Sequence, residues 1–215
     1  ELQTAVDLWV SDNATALSTY GEINTWDVSL ITNMSSLFYN KTNFNDDISN
    51  WNVSSVTTMY RMFRDADSFN QDISNWDVSS LTNISEMFEA ATSFNQDLSG
   101  WDVSSVTNFK STFQGASSFN QDLNSWDVSS ATRMYGMFYS ASSFNQDLSG
   151  WDVSSVTDME DMFRNTSFNG NISSWDVSSV TDMAGMFAST DSFNQDLSGW
   201  DVSNVTSMYI MFYVA

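Results

Sequence analysis

The sequence predicts an α/β fold: a leucine-rich-repeat-like solenoid with one short strand and one short helix in each 25-residue repeat. Two observations predict it. Tryptophan recurs at Trp26, Trp51, Trp76, Trp101, Trp126, Trp151, Trp175 and Trp200, always 25 residues apart except for one step of 24. A fixed period of this size marks one supersecondary unit stacked on the next. Within each unit the apolar pattern also changes, from alternation around the tryptophan to a helical spacing after it.

The elements follow in chain order. Residues 1–25 break the period and read as an N-terminal cap, with Leu2, Val6, Trp9 and Val10 spaced for an amphipathic helix. Residues 26–215 make eight repeats, the last incomplete. With tryptophan as position one, Val stands at three, Ser at four, Thr at seven and Phe at thirteen in all eight units. A second Phe stands at nineteen in seven, from Phe44 to Phe193. Trp-Asp-Val alternates apolar and polar, as a short strand does. Val56, Met59, Met62, Phe63 and Ala66 then fall on one helical stripe, and the Thr at seven is placed to cap that helix. Ser-Phe-Asn-Gln-Asp reads as the turn back, its Asn and Asp bonding their own backbone. The 24-residue step has lost one residue between Phe163 and Phe168, where a loop tolerates it. Methionine fills gaps between layers. The tryptophan column is expected inside; turned outward, it would form a carbohydrate-stacking platform.

Composition removes whole classes of function. The 215 residues contain no His, Cys or Pro. Without imidazole or thiol there is no Ser-His-Asp or Cys-His machinery, no disulfide and no zinc site of the Cys/His type, so no enzyme is expected. The net charge is −21, which repels nucleic acid and anionic membrane surfaces. No apolar run is long enough to span a bilayer.

The string SFNQDLSGWDVSSVTDMEDMF at 143–163 resembles the BspA-type leucine-rich-repeat surface proteins of bacteria and unicellular eukaryotes. AVDLW at 5–9 and YGEINTWDVS at 20–29 resemble the cap of the algal and protist members. The resemblance extends over 26–215 and implies an exported or surface-exposed protein, with adhesins among its relatives and no enzyme activity. It carries over no functional residue set. The family's lipid-attachment cysteine has no counterpart here, so anchoring by that route is not expected.

The acidic columns are the first candidate site. Position two carries Asp27, Asp77, Asp102, Asp127, Asp152, Asp176 and Asp201; position twenty-two carries Asp47, Asp72, Asp97, Asp122, Asp147 and Asp196. At the strand separation of about 4.8 Å, like charges in water repel by roughly 0.8 kcal/mol per neighbour. Local bonding to the Ser and Thr that follow relieves this; the alternative is bound Ca²⁺, with Asp77, Asp102, Asp127 and Asp152 as ligands. No other cofactor is expected. Among the Asn-x-Ser/Thr sequons, Asn40 and Asn165 sit at the corner between helix and turn, the best-placed acceptors for a glycan. Arg61, Arg64, Lys110, Arg133 and Arg164 all lie in the helical segments. The reading that follows is a non-catalytic extracellular or cell-surface module for binding or adhesion, with a protein or glycan as partner. The rival is a structural block of a filament or larger assembly. Unit eight stops at Ala215 with Met208, Met211, Phe212 and Tyr213 unshielded, so further repeats or another subunit are expected to cover that end.

Overall fold

The computed structural model describes residues 1–215. Two helices open the chain, α1 (Leu2–Ser11) and α2 (Asn13–Tyr20). In α1, Ala5, Val6 and Trp9 face inward, while Val10 is 41% exposed and is not part of the buried stripe. The helix ends at Asp12, whose non-helical backbone starts α2 and whose carboxylate accepts from the Thr15 N–H at 3.2 Å. A 3₁₀ turn, Ile23–Thr25, leads into the array. α1 seals the first unit. Gln3 Nε2 donates to the Leu37 carbonyl, a group that in later units accepts from the unit before. The Trp9 ring meets Trp26 edge-on at 5.7 Å, and its Nε1 donates to Asp46.

From 26 to 215 the chain is a repeat protein built from turns. It contains no α-helix, and its only β pairing is one bridging residue per unit, from Asn33↔Thr58 to Asp182↔Ser207. This corrects two expectations. The bridge lies at position eight, not at Trp-Asp-Val, and the stripe from Val56 to Ala66 is not helical. All five of its residues are fully buried, as expected. The backbone explains the rest. The N–H groups of Met59, Arg61, Phe63 and Asp65 donate to the carbonyls of Asn83, Ser85, Met87 and Glu89 in the next unit. Those of Met62, Arg64 and Ala66 donate to Met59, Arg61 and Phe63 in their own unit. A helix would send every N–H four residues back along its own chain. Here alternate residues bond sideways, and successive turns restore the spacing of three and four.

The turns need left-handed backbone. Positions eleven and fifteen have positive φ in every unit, for example 58° at Arg61 and 57° at Asp65. Each except Asn165 is the third residue of a turn closed by an N–H that donates three residues back, where a type II turn requires φ > 0; at Asn165 the Thr166 hydroxyl makes that bond. Only Gly115, Gly136 and Gly185 meet the demand without a Cβ; elsewhere L-residues hold a conformation costing about 1–2 kcal/mol each.

Stacking aligns each residue with its own counterpart. The Phe column at thirteen runs from Phe38 to Phe212, rings nearly parallel, with centroids 5.3 Å apart at Phe38–Phe63 and 5.9 Å at Phe163–Phe187. The column at nineteen lies against it, 4.0 Å away at Phe113–Phe119. The tryptophans from Trp51 to Trp175 are buried, so that column is core. Each indole N–H crosses to the preceding turn, as Trp126 Nε1 does to the Leu98 carbonyl at 2.9 Å. The Thr at seven caps nothing. Its N–H and hydroxyl both donate to the carbonyl of the Thr before it, as Thr132 does to Thr107.

The short unit keeps its columns through hydroxyl substitutes. Phe168 still stacks on Phe144 and Phe193. The Phe163 carbonyl accepts from Thr166 Oγ1 at 2.6 Å and from Thr190 Oγ1 at 2.7 Å, and the Phe168 N–H donates to the Thr166 hydroxyl. In units two to five alanine stands at this place and the backbone alone closes the turn, as at Ala66. On the last unit Tyr209, Phe212 and Tyr213 are exposed.

Ala90 has a φ of 57°. Ala90→Gly is therefore expected to stabilise the protein by about 0.5–1 kcal/mol in urea denaturation, where a helix would lose about 1 kcal/mol. A loss would restore the helical reading of this segment.

Phe113 is fully buried between Phe88 and Phe138. Phe113→Ala should cost about 3–5 kcal/mol in the same measurement, and a cost below about 1 kcal/mol would place the ring outside the packed column.

Candidate functional site

The acidic columns resolve into local turns. The Asp102 carboxylate accepts from the Ser104 N–H at 3.1 Å and from its hydroxyl at 2.6 Å, and Asp77, Asp127 and Asp152 bind Ser79, Ser129 and Ser154 in the same way. Asn52 makes the same pair of bonds with Ser54, so the column needs an acceptor more than a charge. The Ser79 hydroxyl, then its N–H, hold Asp77 below the usual carboxylate range; Ser129 does the same to Asp127. The Ca²⁺ candidates are thus each engaged in their own turn, and no three acidic side chains converge in a metal-holding group.

Asn40 and Asn165 lie at the second left-handed position of their units, since there is no helix-to-turn corner, and both are exposed. Asn165 Nδ2 donates to Ser140 Oγ at 3.0 Å.

Asparagine at position twenty does something the sequence reading missed. Its side chain reaches across units: Asn95 Oδ1 accepts from the Asn120 N–H at 2.9 Å, and Asn120 Oδ1 from the Asn145 N–H at 2.9 Å. Gln121 and Gln146 add donors to the same asparagines. The signal was an asparagine at that place in seven units, more than a local turn requires.

Against these repeated columns, the change from unit to unit in charge and size is widest at four positions, eight, ten, eleven and fourteen, with smaller variation at fifteen and seventeen. The four lie along the bridging and turn segment of each unit and form one face. All six tyrosines of the array stand there, Tyr39, Tyr60, Tyr135, Tyr139, Tyr209 and Tyr213. So do Glu86, Glu89 and Glu160, and every Lys or Arg except Lys41, which pairs with Asp7 of the cap. The sequence had placed those basic residues together, but not with the tyrosines.

On units two and three Arg61 Nε and Arg64 Nη1 each lie 2.6 Å from Glu86 Oε2, and Arg64 Nη1 lies 3.2 Å from Glu89. Burial acts against the Glu86 charge, but the Arg61 hydrogen bond and the charges of Arg61, Arg64 and Lys110 outweigh it and hold the carboxyl below its ordinary value. Glu89 goes the other way. Burial, then the neighbouring Glu86, raise it to about 7 against the pull of Arg64. Aromatic faces carry cations: Arg61 sits 4.6 Å from the Tyr60 centroid and Lys110 5.4 Å from Tyr135.

Two hollows adjoin along this face. One of about 260 Å³ is bordered by Arg61, Arg64, Glu86, Glu89 and Lys110; one of about 250 Å³ by Tyr135, Gly136, Tyr139 and Asp161; Gln114 and Tyr135 belong to both. At the far end burial raises Asp158 and Glu160 above the ordinary carboxylate range, helped in both cases by Asp182. A larger hollow of about 400 Å³ lies at the seam of cap and array, beside Tyr20 and Trp26, where a helix meets a turn and leaves space. The variable face carries charges of both signs and aromatic rings over the packed columns.

Glu89 binds its proton more tightly in the folded protein than in the unfolded chain, where its value is 4.5. Its stabilising contribution is complete below pH 4.5 and is lost as pH rises through about 7. Urea denaturation across that range should show a decline in stability that Glu89→Gln flattens. An unchanged slope in that variant would remove Glu89 as its source.

The sequence model of the family described as Mycoplasma protein of unknown function, DUF285, matches residues 9–111, 75–167 and 147–215. No curated protein matches the chain.

Proposed function

The chain belongs to this repeat family, and we propose that its array is a solenoid of the BspA type that works as a non-catalytic binding or adhesion module at a cell surface. One observation carries the reading. Chemical variety in the array is concentrated on one face, while the columns that build the fold repeat. Tyr and Arg, gathered on that face, are the residues that most often dominate contact energy. A rigid stack with a variable face is how repeat proteins present extended binding surfaces. The partner is a protein or glycan outside the cell, and exposed Asn40 is an available attachment point for a glycan. No cofactor enters this function.

Beads carrying the chain should be retained on cultured cells or on matrix-coated surfaces. Beads carrying a variant with Tyr60→Ser, Lys110→Ser, Tyr135→Ser and Tyr139→Ser should wash off, although the variant keeps its stability within about 1 kcal/mol. Equal retention of the two, or of neither, would end the reading.

A further inference from the structure

Between units four and seven the variable face divides by sign. Lys110 and Arg133 stand exposed, and neither forms an ion pair. That is unexpected in a chain with 27 acidic residues against 6 basic ones, where a carboxylate is easily found. Asp158, Glu160 and Asp182 follow one to three units further on and also lack an ion pair, Asp158 and Asp182 each accepting one backbone N–H, from Glu160 and Ala184, on one carboxylate oxygen; beside them Asp161 does have an ion pair, with Arg164 at 3.2 Å. Tyr135 and Tyr139 lie between the two groups and border the 250 Å³ hollow together with Gln114. The three core columns behind this stretch are buried except at Phe193 in unit seven, which is half-buried, so the charges stand on a packed base.

We infer that this stretch binds a polypeptide segment carrying both signs of charge, with a Lys or Arg set against Asp158, Glu160 and Asp182 and an Asp or Glu set against Lys110 and Arg133. The inference rests on the variable face being the binding face, and it names the partner class. Spacing supports it. Lys110 and Glu160 occupy the same position two units apart, about 10 Å at the separation of paired strands, or about three residues of extended chain. A neutral glycan would shield both charged groups from water and neutralise neither, at a desolvation cost. A polyanion is repelled by the acidic end, and a polycation leaves Lys110 and Arg133 without a partner. The tyrosines supply large, stiff contact area between the charged ends.

The test is selection of a random dodecapeptide display library on the wild-type chain, with a glycan array in parallel. Selected peptides should carry an acidic and a basic residue about three apart. Their affinity should fall at least tenfold when Asp158→Asn, Glu160→Gln and Asp182→Asn are combined, and likewise with Lys110→Glu and Arg133→Glu. A control with Asp72→Asn, Asp97→Asn and Asp122→Asn removes the same charge from the turn column, where Asn171 already serves as acceptor, and should change affinity less than twofold. Equal losses in the control would reduce the effect to net charge and overturn the inference. So would peptides indifferent to both charge variants but lost with Tyr135→Ser and Tyr139→Ser, or glycan binding without peptide selection; each of these leaves the binding face standing. No saturable binding of peptide or glycan would remove both.

Discussion

The array depends on alternate backbone N–H groups leaving their own unit. At positions nine, eleven, thirteen and fifteen the donor finds its acceptor in the next unit, at every junction from Met34–Thr58 to Ser189–Tyr213. This cross-bonding sets the rise between units and makes each residue lie on its counterpart. Sequence freedom is limited accordingly, because a side chain at a structural position must tolerate a copy of itself about 4.8 Å away. Phenylalanine does so by parallel offset stacking. Threonine and asparagine do so by donating to, or accepting from, the copy. Aspartate does so by turning its charge onto a following serine. Asp201 feels its neighbour Asp176, yet the Ser203 N–H and hydroxyl still hold it below the ordinary carboxylate range. Local bonding outweighs the repulsion within the column.

The same constraint explains how the chain accommodates its one deletion. A stack held only by loops could lose a residue anywhere. Here a lost residue must leave both the Phe column and the cross-unit donors in register. The shortening falls after Asn165, whose N–H still reaches Ala188, and before Phe168, which still stacks. Between them only Thr166 and Ser167 remain, and the Thr166 hydroxyl stands in for backbone. Thr190 of the next unit supports the same carbonyl from outside.

Burial was legible in the sequence and conformation was not. Val56, Met59, Met62, Phe63 and Ala66 are the buried set, because spacings of three and four put residues on one side of consecutive turns as well as on one side of a helix. The two differ at the positions between. Gly115, Gly136 and Gly185, with Asn40, Asp65 and Asn165 in the same two columns, are residues that tolerate left-handed backbone. Their recurrence at eleven and fifteen was the available signal, hidden because Arg61, Glu86 and Ala90 are ordinary helix formers. The inward tryptophans and the local bonding of the aspartates were legible because each follows from a single unit. The cross-unit asparagines and the face itself appear only when units are stacked, since both are relations between copies.

The left-handed column at eleven separates what the fold asks from what the residues do. Gly136 and Gly185 occupy it, so the fold accepts glycine there and the backbone is easier to form with it. Arg61, Glu86 and Asp161 hold the same conformation with a charged side chain, against a cost of about 1–2 kcal/mol each. Arg61 and Glu86 recover part of that cost through their ion pair, Asp161 through Arg164. The Glu86 side chain is only 8% exposed and Asp161 is half-buried, so the cost of desolvating these charges offsets much of what the pairing recovers and the position stays strained. Strain that the scaffold does not require, retained at charged side chains that differ between units, is characteristic of functional positions. The column therefore supports the proposed binding face independently of the tyrosines: its charged residues carry a cost in stability that glycine at the same place would not.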